Sequence, residues 1–132
     1  MKNGFVDNIE ESTVENSHFR RVLYTGAQMQ LVLMALQPGD EIGEEVHEDR
    51  DQFFRIEQGE GEVLIDGRTT NVKAEMAIIV PAGARHNVTN TGTEPLKLYT
   101  LYAPPEHIDG TVHVTKADAD AAHEHFDGKT TE

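Results

Sequence analysis

His86 stands in the stretch Val80-Pro81-Ala82-Gly83-Ala84-Arg85-His86-Asn87-Val88-Thr89-Asn90, where its type and spacing suit a metal ligand. The apolar run Ala77-Ile78-Ile79-Val80 ends at a Pro-x-Gly turn. Pro presets such a turn, and Gly supplies a φ > 0 position or a close backbone approach. A histidine that opens the next strand, with Asn90 four residues on, points inward at the mouth of a β-barrel. A second stretch carries Glu45-Val46-His47, a polar turn Glu48-Asp49-Arg50-Asp51, then Gln52-Phe53-Phe54-Arg55-Ile56. Side chains two apart on a strand share a face, so Glu45 and His47 converge. Gln52, Phe54 and Ile56 share a face by the same rule, which sets an amide beside two apolar groups. Buried without a partner, that amide costs about 1–3 kcal/mol. The plain alternative for His47 and His86 is a pair of hydrogen-bonded core histidines. For Glu45 it is a solvated acid, and for Gln52 a structural amide.

The elements that must position these residues read as short strands. They are expected at Phe19–Tyr24, Met29–Leu36, Ile42–His47, Gln52–Gln58, Glu62–Ile65, Thr69–Val72, Ala77–Val80, His86–Asn90 and Leu96–Tyr102. Turn signals separate them, and Asp66-Gly67 is a two-residue hairpin signal. Many short strands at this spacing predict an antiparallel sandwich or barrel, an all-β fold. Pro104-Pro105 ends the β region. Thr115, with Asp118 three residues later, predicts a partial capping box and a short C-terminal helix over Ala117–Phe126. Ile9–Val14 has room for one helical turn, and Gly128–Glu132 reads as a frayed end. The run Leu31–Leu36 is apolar on both faces, so a second layer must cover it. A homodimer interface over outward-facing Val32, Met34 or Leu36 is one candidate.

Composition narrows the function classes. At 132 residues the chain is one domain large enough for a core. It has no cysteine, which excludes disulfides, thiolate metal sites and cysteine nucleophiles. The net charge of -13 argues against nucleic acid, whose binders need a basic footprint. No stretch is apolar enough to span a membrane, and Met1-Lys2-Asn3-Gly4-Phe5 is no signal peptide, so a cytoplasmic protein is expected. The acidic run from Glu41 to Asp51 reads as a solvated rim. Arg55, Arg85, Tyr99 and Tyr102 are the side chains near the site that would meet an anionic ligand, with packing roles the plainer reading for each. His107 and His113 flank a segment that either folds back as a lid, contacts a partner subunit, or is an ordinary loop. His18 reads as peripheral, and His123 and His125 as surface residues of the terminal helix.

Two motifs carry a family resemblance over roughly residues 29–102. The chain resembles the cupin superfamily, small double-stranded β-helix (jelly-roll) barrels. Gly39, Glu45, His47, Gln52 and Gly59 fall on the positions of the family's first motif. Pro81, Gly83, His86 and Asn90 fall on the second. The resemblance implies a cupin barrel over residues 19–103, an N-terminal segment over 1–18, and a C-terminal loop with a short helix over 104–132. Three positions depart from the pattern. Glu45 stands for the first histidine, Gln52 for the glutamate, and Glu75 for the second motif's opening glycine. The resemblance implies a divalent metal on Glu45, His47, Gln52 and His86, with zinc, iron, manganese, nickel or copper all suited to imidazole. The usual three histidines and one carboxylate become two histidines, one carboxylate and one amide, at the same ligand charge. Two histidines and a carboxylate also form the facial set of non-haem iron. Similar small cupins include isomerases, epimerases, dioxygenases and decarboxylases, and many are described as resembling mannose-6-phosphate isomerase. The resemblance thus implies a metal-dependent enzyme, of isomerase or dioxygenase type, on a small sugar or oxygenated acid. Glu45 would then be ligand or catalytic base. The alternative is a non-catalytic module binding a metal or small-molecule ligand.

Overall fold

The computed structural model describes residues 1–132. Ten strands form two antiparallel sheets, flanked by two short helices. In chain order these are α1 (Ile9–Glu15), β1 (Arg20–Thr25), β2 (Gln30–Leu36), β3 (Glu45–Val46), β4 (Asp51–Gln58), β5 (Glu60–Ile65), β6 (Arg68–Lys73), β7 (Ala77–Val80), β8 (Arg85–Asn90), β9 (Leu96–Ala103), β10 (Val112–His113) and α2 (Lys116–Ala121). The larger sheet runs β10-β1-β2-β9-β4-β7, and the smaller β3-β8-β5-β6. Their apolar inner faces meet in one 17-residue core cluster, the all-β jelly-roll arrangement expected. Phe54, Ile56, Val88, Leu96 and Leu98 are fully buried there, and each contributes about 1.5–3 kcal/mol relative to exposure. No helix is long and apolar enough to cross a membrane, which leaves spanning by strands unaddressed.

The hairpin signal is borne out: Asp66 and Gly67 both have positive φ, as a type I′ turn requires, and Ile65 pairs with Arg68. The expected strand Ile42–His47 shrinks to Glu45–Val46, because Gly43 at φ 109 breaks the extended run. The capping box forms as expected on Thr115 and Asp118, but α2 ends at Ala121 rather than Phe126. Residues beyond it are drawn to the 106–108 segment, where the Phe126 N–H donates to the Glu106 carbonyl (2.8 Å). His123 and His125 therefore lie outside the helix. The chain end is not frayed. The Thr131 N–H donates to the Thr25 carbonyl (2.9 Å), and the Glu132 carboxylate accepts from the Tyr24 hydroxyl (2.7 Å).

The apolar run on β2 has the opposite phase to the one expected. Val32, Met34 and Leu36 face the core, while Leu31 and Leu33 face out. A strand apolar on both faces gives no alternation to fix its phase. The second layer is the chain's own N-terminal segment. Asn8 caps α1 by accepting from the Glu11 N–H (2.9 Å), and the helix packs on β2, β4 and β9. Lys97 Nζ closes its other end by donating to the carbonyls of Val14 (2.8 Å) and Asn16 (2.7 Å).

Glu75, where the family motif has glycine, adopts φ 76 in a turn closed by the Met76 N–H on the Lys73 carbonyl (3.1 Å). The left-handed conformation costs a non-glycine residue about 1–2 kcal/mol, against about 0.5–1 kcal/mol for the extra freedom of an unfolded glycine. Glu75→Gly is therefore expected to stabilise the protein by about 0.5–1 kcal/mol in thermal or urea melts. An unchanged or lower midpoint would show that Glu75 makes a compensating contact.

Candidate metal centre

The centre is assembled from both sheets and the turn before β8. The Ala84 N–H donates to the Pro81 carbonyl (3.1 Å), with Gly83 at φ 88 in the third position of the turn. The Gly83 N–H then donates to the His47 carbonyl (2.8 Å), tying this turn to the end of β3. Glu45 is the cross-strand partner of His86, so the two share the inner face of the smaller sheet. His47, two residues after Glu45, returns to that face. Gln52 reaches the same point from β4 on the opposite sheet, with Phe54 and Ile56 buried below it as their alternation predicts.

Glu45, His47 and His86 each offer one ligand atom, and the three atoms lie within 4.8 Å of one another, a group able to hold a metal ion. His86 is buried, and its Nδ1–H donates to the Ala84 carbonyl (3.0 Å). That bond fixes the tautomer and leaves Nε2 bare. Gln52 Nε2 donates to Thr100 Oγ1 (3.0 Å), which turns Gln52 Oε1 toward His86 Nε2 at 3.1 Å. The contact is a hydrogen bond when Nε2 carries a proton, and a pair of converging acceptors able to face a cation when it does not. His47 Nε2 is 2.9 Å from Glu45 Oε2, yet it is a buried nitrogen with no aligned hydrogen bond. Charge attracts this pair, but the angle between them does not make a hydrogen bond.

Burial alone would push the His47 imidazole down, but contact with Glu45 and the charges of Glu45 and Glu106 outweigh it and hold it above its ordinary value. Burial would raise the Glu45 carboxyl, and the His47 contact and charge, with Arg20 and His86, bring it below the usual carboxylate range. Behind His47, the Glu106 carboxylate lies 3.5 Å from Nδ1 and is gripped by Arg50, which also donates to the Pro105 carbonyl (3.0 Å).

The C-terminal segment does fold back. His107 and His113 are buried. His107 Nδ1 meets Glu124 Oε1 at 2.7 Å, and its Nε2 meets the Tyr102 hydroxyl at 3.3 Å. Buried Gln30 anchors the His107 backbone by accepting from its N–H (3.0 Å) and donating to its carbonyl (2.8 Å). Tyr102 stands edge-on between His47 and His107, and burial pushes its phenol far above the ordinary value. Asn90 lies away from the centre and holds a turn, donating to the Leu36 and Glu94 carbonyls (2.8 Å each).

Two arginines expected near the site face elsewhere. Arg55 pairs with Glu57 (2.7 Å) on the outer sheet face, and exposed Arg85 lies 3.6 Å from Glu44. Both alternate out of phase with inward residues, Arg55 with Phe54 and Ile56, Arg85 with His86. Arg20 is the buried arginine instead. Its signal was available in the alternation Arg20–Val22 on β1, which sets it on the same face as a core valine. A cavity of about 420 Å³ lies elsewhere, lined by residues including Asn71, Lys73 and Thr91, and it touches none of the four metal-set residues.

Comparison with known proteins agrees with this fold. The cupin domain model matches residues 32–102. YrkC of Bacillus subtilis is 53% identical over 125 residues, 89% of this chain and 67% of that protein. L612 of Acanthamoeba polyphaga mimivirus is 39% identical over 117 residues, 85% of this chain and 72% of that protein. The crystal structure of BH2720 from Bacillus halodurans superposes with a TM-score of 0.88 at 50% identity, covering 91% of this chain and 96% of that one. The chain belongs to the cupin family.

Proposed function

We propose that this cupin binds one divalent metal ion through Glu45, His47 and His86, with Gln52 as a fourth, neutral ligand. The observation that carries the reading is the His47 Nε2 atom, buried and without a hydrogen bond beside Glu45 Oε2. The separations of 2.9 Å for Glu45–His47 and 3.1 Å for Gln52–His86 support it. Donor atoms that would share one ion come within about 3–3.4 Å of one another. A mixed imidazole and oxygen set suits zinc, iron, manganese or nickel. Such an ion supplies Lewis acidity toward an oxygen of a bound small molecule. Glu106, held by Arg50 behind His47, orients that imidazole. The lowered Glu45 carboxyl suits an ionised metal ligand, and its partial exposure lets it face a bound molecule as a base, a weak one with its carboxyl held low. We read the protein as a metal-dependent enzyme of isomerase or dioxygenase type on a small sugar or oxygenated acid, cytoplasmic and homodimeric. The barrel, 19–103, carries the metal ligands and the 104–132 segment covers them.

Elemental analysis of protein purified from metal-replete medium tests the centre. About one divalent ion per chain is expected, and Glu45→Ala and His86→Ala should each reduce occupancy at least tenfold. Metal-free wild-type protein that also fails to take up added zinc, nickel or manganese would refute the ligand set. Turnover of simple sugars and keto acids by the loaded protein separates the enzyme from the metal-binding module.

A further inference from the structure

Arg20 is 6% exposed, and its charge has no carboxylate partner. The other inward or half-buried arginines are paired, Arg50 with Asp49 and Glu106 and Arg55 with Glu57. Arg20 has one hydrogen bond, from Nη1 to Nδ1 of His113 (3.1 Å), and its Nε is buried with no partner. Phe19 covers one face of the guanidinium at 5.4 Å. A guanidinium carries five N–H donors in a planar fork, and leaving the Nε donor buried and unmatched is unfavourable unless an acceptor completes it. His113 supplies only a neutral acceptor, because burial, then the Arg20 charge, lowers its pKa.

The register places this side chain with the interior. Arg20 pairs with Met34 of the core and with His113 of β10. Its charge is felt at the metal centre and at the segment that covers it. At Glu45, Tyr102 and Glu124 burial is the largest influence, and at all three Arg20 adds a downward pull.

We propose that Arg20 receives the carboxylate of a small-molecule ligand whose other end reaches the Glu45/His47/His86 centre. The inference extends the metal-centre reading and rests on it for that second contact alone. The fork matches a carboxylate in two parallel N–H···O bonds. Charge selects the same class. Arg20 is the one buried cation without an acidic partner, and it balances a single negative charge. A phosphate group carries about -1.5 to -2 at neutral pH and would need a second cation. The other cation over the Phe19 ring, Lys116, is paired with Asp120 (3.1 Å), and Arg55 and Arg85 are turned outward and paired.

Titration of ¹⁵N-labelled protein with pyruvate, its neutral amide pyruvamide, and inorganic phosphate tests this assignment, in zinc-loaded and metal-free protein. The Arg20 Nε–H resonance is identified by its loss in Arg20→Lys. A saturable shift with pyruvate is expected, at least tenfold weaker with pyruvamide and absent with phosphate. Arg20→Lys, which keeps the charge but not the fork, should weaken pyruvate binding at least tenfold while zinc stoichiometry stays at wild-type level. Arg20→Met, close in length and uncharged, should keep the fold by thermal melting and bind no pyruvate. Equal shifts from acid and amide, no shift in either form of the protein, or undiminished binding by Arg20→Lys would each overturn the proposal. A stronger response to phosphate would overturn the carboxylate assignment. Failure to load zinc, with the pyruvate shift intact in metal-free protein, would instead count against the metal centre.

Discussion

Lowering the pH from about 8 to about 5 will weaken metal binding by about tenfold per unit once the His47 imidazole begins to hold a proton. The ion and the proton compete for the same nitrogen. Glu45 holds His47 above its ordinary value of 6.5, so the decline begins at a higher pH than an isolated histidine would give. Competition against a metal-sensitive dye across the range measures it. Metal-free protein should show the opposite sign. The raised His47 pKa means that the protonated pair with Glu45 adds stability below 6.5, and this is lost as pH rises through the raised value. The lowered Glu45 pKa adds stability above 4.5, lost as pH falls through the lowered value. The pair therefore helps the metal-free fold most between about 4.5 and 6.5. Stabilisation by metal should be widest above that window, where the proton has left and the ion has not lost affinity. Glu45→Gln removes the charge that raises His47, so whatever metal affinity remains should begin to fall at a lower pH. An affinity that stays flat across the range would show that no histidine ligates.

What the sequence made legible was local chemistry. Pro81-x-Gly83 and Asp66-Gly67 demand particular backbone angles, and Thr115 with Asp118 satisfies its own helix end, so each can be read from a few neighbouring residues. Alternation set Glu45 with His47, and Gln52 with Phe54 and Ile56; it was the resemblance to the family motifs that joined Glu45, His47, Gln52 and His86 as one candidate set. Two faces meeting at one point then followed from the fold. What stayed hidden depended on contacts far apart in the chain. Nothing near Ile9–Glu15 announces that this helix will lie over Leu33, and β2, apolar on both faces, could not declare its own phase. Glu124 meets His107 across 17 residues, beyond a helix that the sequence alone extended past Glu124. Arg20 drew no functional reading from the sequence. The alternation sets Arg20 on one face with Val22 and Arg21 on the other, and the pairing of β1 with β2 and β10 shows which of the two faces is the interior.

Gly59→Ala is expected to destabilise the fold by about 3 kcal/mol, enough to lower the melting temperature by roughly 10 °C. Two independent penalties fall on this position, the closing glycine of the first motif. Gly59 sits at φ 93, a region that costs an L-residue about 1–2 kcal/mol. A Cβ there would also lie 2.9 Å from the Pro95 carbonyl oxygen and 3.1 Å from Leu96 Cα, both backbone atoms that cannot step aside as a side-chain tip would. Overpacking of that kind costs about 1–3 kcal/mol. Two other glycines separate the causes. Gly39, at φ 87 with nothing within 4 Å of where a methyl would project, carries only the backbone penalty, so Gly39→Ala should cost about 1 kcal/mol. Gly61 has no left-handed angle, but its Cβ would meet the Thr89 carbonyl oxygen at 2.6 Å, so Gly61→Ala carries only the overlap. If urea melts place Gly59→Ala no lower than Gly39→Ala, the end of β4 yields to the methyl and the close approach to β9 is soft. If Gly59→Ala exceeds both, the approach is rigid. The junction where β4 turns into β5 is then fixed against the start of β9 by backbone contact rather than by side-chain packing.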